Sequence, residues 1–205
     1  MRAPFCALAI ALAMCAASRV RAQSQGRDLP LIEWSESRKL AIKDFKGKIP
    51  SRANEASLSW VAIEASWECQ DGKGSSRSRA VFDPNRSWWR EVIPNLWQNV
   101  EDVSPLAPRD DGGRALLAHE QLHFDMTEVW SRRIREKFET LPVVCKTTGA
   151  IRGFEKNIAD MEREWQEEQQ RYDRETGHGT DGVRQRTWVQ KTARALQQIY
   201  PAAAR

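Results

Sequence analysis

The middle of the chain reads Leu116-Leu117-Ala118-His119-Glu120-Gln121-Leu122-His123-Phe124-Asp125. Around it, from about residue 114 to 139, Leu116, His119, Glu120, His123, Thr127, Trp130 and Ile134 recur at helical spacings and share one face. Leu117 and Phe124 fall on a neighbouring face. A helix apolar over so broad a front is expected to be central to its domain. Leu141-Pro142 ends it. A second helix starts near Thr148, with Ile151, Phe154, Ile158, Met161, Trp165 and Tyr172 as its apolar stripe. That helix is expected to stop in the stretch Tyr172-Asp173-Arg174-Glu175-Thr176-Gly177-His178-Gly179. The two glycines flanking His178 mark a loop. A third helix is expected over about 182–199, with Trp188, Thr192, Ala195 and Ile199 inward.

Upstream the pattern changes. Residues 58–70 are rich in β-branched and aromatic types and read as a strand. Asp71-Gly72-Lys73-Gly74 is a turn signal, and residues 75–83 return as a second strand ending at Asp83-Pro84. Ser87 to Val100 suits a third strand or a short helix. Residues 104–113, with their prolines, aspartates and glycines, read as a linker in which Asp110 or Asp111 caps the helix that follows. The expected fold class is α+β: a small N-terminal antiparallel sheet packed with a C-terminal group of about three helices, with His-Glu-x-x-His on the central one, a zincin-like arrangement.

The chain has 205 residues. Met1-Arg2 followed by the apolar run Ala3 to Ala17 and by Val20-Arg21-Ala22 has the layout of a cleaved secretory signal over residues 1–22. A lipid anchor at Cys15 is disfavoured, because Leu-Ala-Met lacks the small residue expected before such a cysteine. Residues 23–205 then form a single domain. The net charge of +4 falls to +1 once Arg2, Arg19 and Arg21 leave. Acids and bases are mixed along the chain, so nucleic acid is not an expected partner. Nothing after residue 22 is apolar and long enough to cross a membrane. Of the four cysteines, Cys69 and Cys145 remain after the signal, and in an oxidising compartment they are expected to pair.

His119, His123 and His178 are the three histidines of the chain. A spacing of four puts His119 and His123 on one helical face, where both imidazoles can reach one metal ion. Glu120, offset by about 60° from His123, can face the same pocket without ligating. These are the mechanical contents of the His-Glu-x-x-His zinc motif, with Glu120 as general base for a zinc-activated water. One Zn2+ per chain is expected. His178 is the expected third ligand, because its glycines allow close approach. Glu168, in the stripe between Trp165 and Tyr172, and Asp173 are the alternatives. Asp173 otherwise orients a ligand histidine from behind. Tyr172 has two readings: a hydrogen-bond donor to a developing oxyanion, or the last core residue of its stripe. Asp125 points about 200° from His123, so a structural hydrogen bond is expected of it. Trp60, Trp67, Trp130, Trp165 and Trp188 sit at core positions, while one of Trp88 and Trp89 is free to line a groove.

Two of these segments resemble a bacterial family of secreted zinc-dependent proteases, otherwise filed as a domain of unknown function. The family carries His-Glu-Gln-x-His-Phe-Asp, here His119 to Asp125, and Tyr-Asp-x-x-Thr-x-His-Gly, here Tyr172 to Gly179. Asp44-Phe45-Lys46-Gly47 is similar to a stretch near that family's start, and the resemblance extends over most of residues 34–195. It implies an extracytoplasmic zinc hydrolase. The expected function is an exported zinc peptidase, periplasmic or secreted, acting on a protein or peptide substrate. The alternatives are an envelope protein with a structural zinc and a zinc amidase acting on cell-wall peptides.

Overall fold

Alternating small polar and apolar residues from Val61 to Phe82 fold into an antiparallel hairpin of β3 (Val61–Gln70) and β4 (Lys73–Phe82), with Gln70 opposite Lys73 and Val61 opposite Phe82. Asp71 takes a φ of +51° in the tight turn. β1 (Ile32–Glu33) pairs with the other edge of β4, giving the order β1-β4-β3. The structure is a computed structural model that describes residues 29–53, 55–71, 73–90 and 112–199. The expected signal over residues 1–22, the element expected over 91–100 and the linker with its caps at 104–111 lie outside those residues.

The strand expected over 58–70 is broken at its start. Ser57–Leu58 form β2, which pairs not with β4 but with β5 (Trp88–Trp89). The cause is local. The backbone N–H of Ser59 donates to the Glu120 carboxylate, and that of Trp60 donates to Ser87 Oγ, so side chains take bonds a continuous ladder would need. Trp88 turns inward and is 3 % exposed, whereas Trp89 packs on Phe45.

α1 (Gly112–Phe138) lies across the hairpin. Its first half sets Phe124 against Phe82, Ala80, Phe45 and Leu40. Its second half sets Ile134 and Phe138 against Leu141, Phe154 and Ile158, with Trp67 over the rings. The short α2 (Leu141–Val144) follows, then α3 (Thr148–Thr176), capped by Thr147 Oγ1, and α4 (Gly182–Gln198), capped by the Asp181 carboxylate. The result is α+β, sheets first and helices after. α3 ends inside the stretch where it was expected to stop, at Thr176. It ends only where Gly177 adopts a left-handed φ of +54° and donates its N–H to Asp173 O. Asp173 is therefore a helical residue and not part of a loop.

α1 is held in rotation by polar anchors on the faces away from its histidines. Asp125 accepts from Trp34 Nε1 at 2.7 Å and from Gln121 Nε2 at 2.8 Å, the structural role expected of it. The nearly buried Glu128 accepts from Arg132 and Arg135, and Arg132 reaches on to Leu196 O near the end of α4.

Cys69 and Cys145 form the expected disulfide, joining the hairpin tip to the end of α2. Gly74 belongs to the same junction. A Cβ there would lie 2.8 Å from Leu141 Cβ, so only glycine lets strand and helix approach. The bridge closes a loop with a sequence separation of 76. Its removal in a Cys69→Ala, Cys145→Ala variant is expected to lower unfolding free energy by about 2–4 kcal/mol. Urea titration followed by near-ultraviolet circular dichroism measures this. A loss under about 1 kcal/mol would mean that packing around Leu141 holds this end unaided.

Candidate metal centre

The i, i+4 spacing on α1 brings His119 Nε2 and His123 Nε2 to 3.2 Å from one another. The last turn of α3 brings Asp173 Oδ1 to 3.2 Å from the first and 2.9 Å from the second. His119 is 2 % exposed, so one wall of the cluster is closed to water.

The other ring nitrogens decide what these atoms can do. His123 Nδ1 lies 2.5 Å from Gln169 Oε1, and His119 Nδ1 lies 3.4 Å from Gln185 Oε1. An amide oxygen only accepts, so each Nδ1 carries the hydrogen and each Nε2 presents a lone pair. Gln169 is itself oriented, because its amide nitrogen donates to His123 O and Thr127 Oγ1. Two imidazole lone pairs and a carboxylate oxygen thus point at one another at about 3 Å. Such a cluster is stable only with a positive centre in it, either a proton or a cation.

The geometry fits a cation. Ligands about 2.0–2.1 Å from a tetrahedral zinc ion lie ~3.3 Å apart. The three separations here are 2.9, 3.2 and 3.2 Å. Two nitrogens and one carboxylate oxygen are a donor set that zinc accepts, and three protein ligands leave a coordination position open. Without metal, burial opposes charge on His123, but the adjoining Asp173 carboxylate outweighs it and raises the imidazole's pKa. Burial likewise opposes charge on Asp173, and the hydrogen bonds from His119 and His123 hold its carboxyl far below the usual range.

Glu120 is 4 % exposed and faces the strand side. Oε1 accepts from Ser57 Oγ at 2.5 Å. Oε2 accepts from Ser59 Oγ at 2.5 Å and from Ser59 N at 3.0 Å. Oε1 therefore keeps one lone pair and Oε2 has both engaged.

The sequence candidates separate in the structure. Asp173, expected in a supporting role or as an alternative ligand, brings Oδ1 to the two imidazoles and completes a group of three residues that could hold a metal ion. His178, the expected third ligand, stands at the mouth. Its side chain is 70 % exposed and Nδ1 lies 3.8 Å from Asp173 Oδ1, because a left-handed φ of +54° turns it outward. Glu168 is engaged elsewhere, accepting from Trp130 Nε1 and Lys191 Nζ at 2.6 Å each. Tyr172 follows its core reading and not the oxyanion one. It is fully buried, stacks on His119 with ring centres 4.6 Å apart, and gives its hydroxyl hydrogen to Gln185 Oε1 at 2.7 Å. Burial, only partly offset by Gln185, pushes its phenol well above the ordinary range, so it stays protonated.

Four supporting residues escaped the sequence reading: Ser57, Ser59, Gln169 and Gln185. The alternation Ser57-Leu58-Ser59 gave a signal for two side chains on one side of a strand, but nothing in it pointed at Glu120. Gly179 was visible and its purpose was not. A Cβ there would lie 2.9 Å from His119 Cβ and Cγ, so this glycine closes the back of the site. Thr176, fully buried, accepts the Gly179 N–H and fixes that approach.

A cleft of about 750 Å³ opens over the cluster. One wall is the segment from Glu55 to Val61, the floor is α1, and the other wall is α3 from Trp165 to Asp173 with the loop at Gly177 to Thr180. Residues 94–179 match the family model described as "Bacterial protein of unknown function (DUF922)". The matched stretch holds His119, His123 and Asp173, Glu120 and His178, and stops at Gly179; Ser57, Ser59 and Gln185 lie outside it. No curated protein and no solved structure matches the chain.

Gly179→Ala should weaken zinc binding by about tenfold or more, because both the added methyl and the φ of +83° press on His119. Competition with a chromogenic chelator reads this, and unchanged affinity would remove the glycine from the site. The pKa shifts also fix a pH signature. The raised His123 stabilises the metal-free fold below about pH 6.5, and that contribution disappears as pH rises through its folded pKa. The depressed Asp173 contributes above about pH 3.8 and is lost only in strong acid. Zinc needs unprotonated imidazoles, so its stabilisation grows over the range where the apo contribution fades. The Tm difference between zinc-loaded and metal-free protein is therefore expected to widen from pH 5.5 to pH 8.5. A constant difference would contradict the assignment of these ligands.

Proposed function

We propose that this protein is an exported zinc-dependent peptidase whose metal is held by His119, His123 and Asp173. The observation that carries the reading is the convergence of those three acceptor atoms beside Glu120 on the floor of a cleft. The export reading is supported by the N-terminal apolar stretch and by the Cys69–Cys145 bridge, which suits an oxidising compartment.

When bound, zinc lowers the pKa of a water to about 7 and polarises a carbonyl oxygen. The protein's own groups do the rest. Ser57 and Ser59 hold the Glu120 carboxylate still, and the free lone pair of Oε1 takes the proton from the attacking water. The water oxygen bonds to the carbonyl carbon, the carbon–nitrogen bond breaks, and Oε1 returns the proton to the departing amine. Gln169 and Gln185 hold the imidazoles in the ligating tautomer throughout.

A structural zinc is the second reading, favoured by one observation: Glu120 also ties the β2 segment to α1 through three hydrogen bonds. An amidase acting on cell-wall peptides shares the site with the first reading and differs in substrate. Elemental analysis and assay of Glu120→Gln separate catalytic from structural zinc. The peptidase reading expects one zinc per chain in wild type and in Glu120→Gln, hydrolysis reduced at least about 100-fold in the latter, and zinc lost in Asp173→Ala. Hydrolysis that survives Glu120→Gln would sink the mechanism, and zinc retained by Asp173→Ala but lost by His178→Ala would restore His178 as the third ligand.

A further inference from the structure

The cleft walls carry an electrostatic bias that the ligating atoms do not require. Among the described residues, the ionised side chains lining the cleft are Glu55, Glu120 and Asp173, and no lysine or arginine lines it. The guanidinium of Arg86 is stacked on the Trp60 ring, 3.9 Å from its centre, and is not part of the lining. A divalent cation in the site is balanced by Asp173 and Glu120. Glu55, which is exposed at the rim, forms no ion pair with another described residue, and the guanidinium of Arg90 beside it is turned to Ala53 O. An anion entering here meets a like charge and finds no lysine or arginine among the described lining residues.

The remaining lining is neutral and suited to amides. Gln166 and Gln170 on α3 are exposed and make no hydrogen bond with another described residue, so their amides are available to a ligand backbone. Leu58, 40 % exposed, and Trp165 supply apolar surface on the facing walls. From Trp165 to Asp173 the helix wall rises about 12 Å, the length of about four extended residues.

Resting on the peptidase reading of the site, we infer that the cleft takes an internal segment of a neutral or basic peptide and rejects carboxylate-bearing ones, with Glu55 setting the preference. The same feature disfavours a carboxypeptidase role, because a free C-terminal carboxylate meets no lysine or arginine among the described lining residues. It also disfavours carboxylate-rich cell-wall peptides as substrates.

The test is binding, read apart from hydrolysis. Full mature protein with Glu120 intact and loaded with zinc is titrated at pH 8, above the ordinary range of imidazole, with hexapeptides blocked at both ends whose central amide is replaced by a non-hydrolysable ketomethylene unit; all-amide versions serve for hydrolysis. Their central residues are two lysines, two alanines or two glutamates, and the quenching of Trp60 and Trp165 at the cleft reports binding. The expected order is lysine, then alanine, then glutamate, with about tenfold between the extremes at low salt and less at 0.5 M salt. Adding Glu55→Gln should narrow that gap at least about threefold, and unblocking the C-terminus should weaken binding. Equal affinities, a preference for glutamate, or no binding of any peptide at about 1 mM would overturn the inference. A glutamate preference would point instead to the cell-wall peptide reading. If the order holds but zinc-loaded wild type leaves the all-amide lysine peptide uncut, the binding preference stands and the peptidase reading falls. The two failures are thus distinguishable.

Discussion

The convergence of three polar atoms, which need a proton or a cation between them, organises the rest of this molecule. His119 Nε2, His123 Nε2 and Asp173 Oδ1 sit within about 3 Å of one another, and no packing force favours that by itself. The fold holds them there by rigid means on every side. Tyr172 stacks on one imidazole and meets the other edge-on, so the residue next to Asp173 on α3 fixes both rings. Gly179 presses on the back of His119 and Gln169 hydrogen-bonds the far side of His123. A cation placed among the three atoms would replace the shared protons, and metal binding and local stability would then be one property.

The back of α1 explains why the histidines face the cleft at all. A helix with so much apolar surface could settle at several rotations about its axis. Asp125, bonded to Trp34 and Gln121, and Glu128, bonded to Arg132 and Arg135, allow only one. These bonds are buried or half-buried, and a rotated helix would leave their partners unsatisfied. Asp125, which lies outside the cluster, fixes the angle at which its neighbours face the cleft.

The broken strand at Ser59 is the complementary device on the opposite wall. Two serines and one backbone N–H leave the regular ladder and converge on Glu120. The same segment supplies Glu55 and Leu58 to the cleft. Positioning of the carboxylate and the character of the substrate wall therefore arise from one short irregularity, and a continuous strand would provide neither.

The sequence by itself determined the elements and the grouping of His119, Glu120 and His123 on one helical turn. The helical stripes, the hairpin turn at Asp71 and the pairing of Cys69 with Cys145 were legible because they rest on local periodicity or on simple arithmetic. His119, Glu120 and His123 were legible because one helical turn relates them. The third member of the cluster was not. The choice among His178, Asp173 and Glu168 depended on where α3 ends and which way its last turn faces, and glycine content alone pointed to His178, whose side chain lies at the mouth. Gly177 permits one more turn than the apolar stripe requires, which puts Asp173 against the histidines and turns His178 outward. Ser57, Ser59 and Gln185 were illegible for a related reason. They lie between about 60 and 66 residues from their partners, and hydrogen bonds over such distances leave no period in the sequence. Tertiary packing alone decides them, because it sets which side chains from separate elements share one buried space.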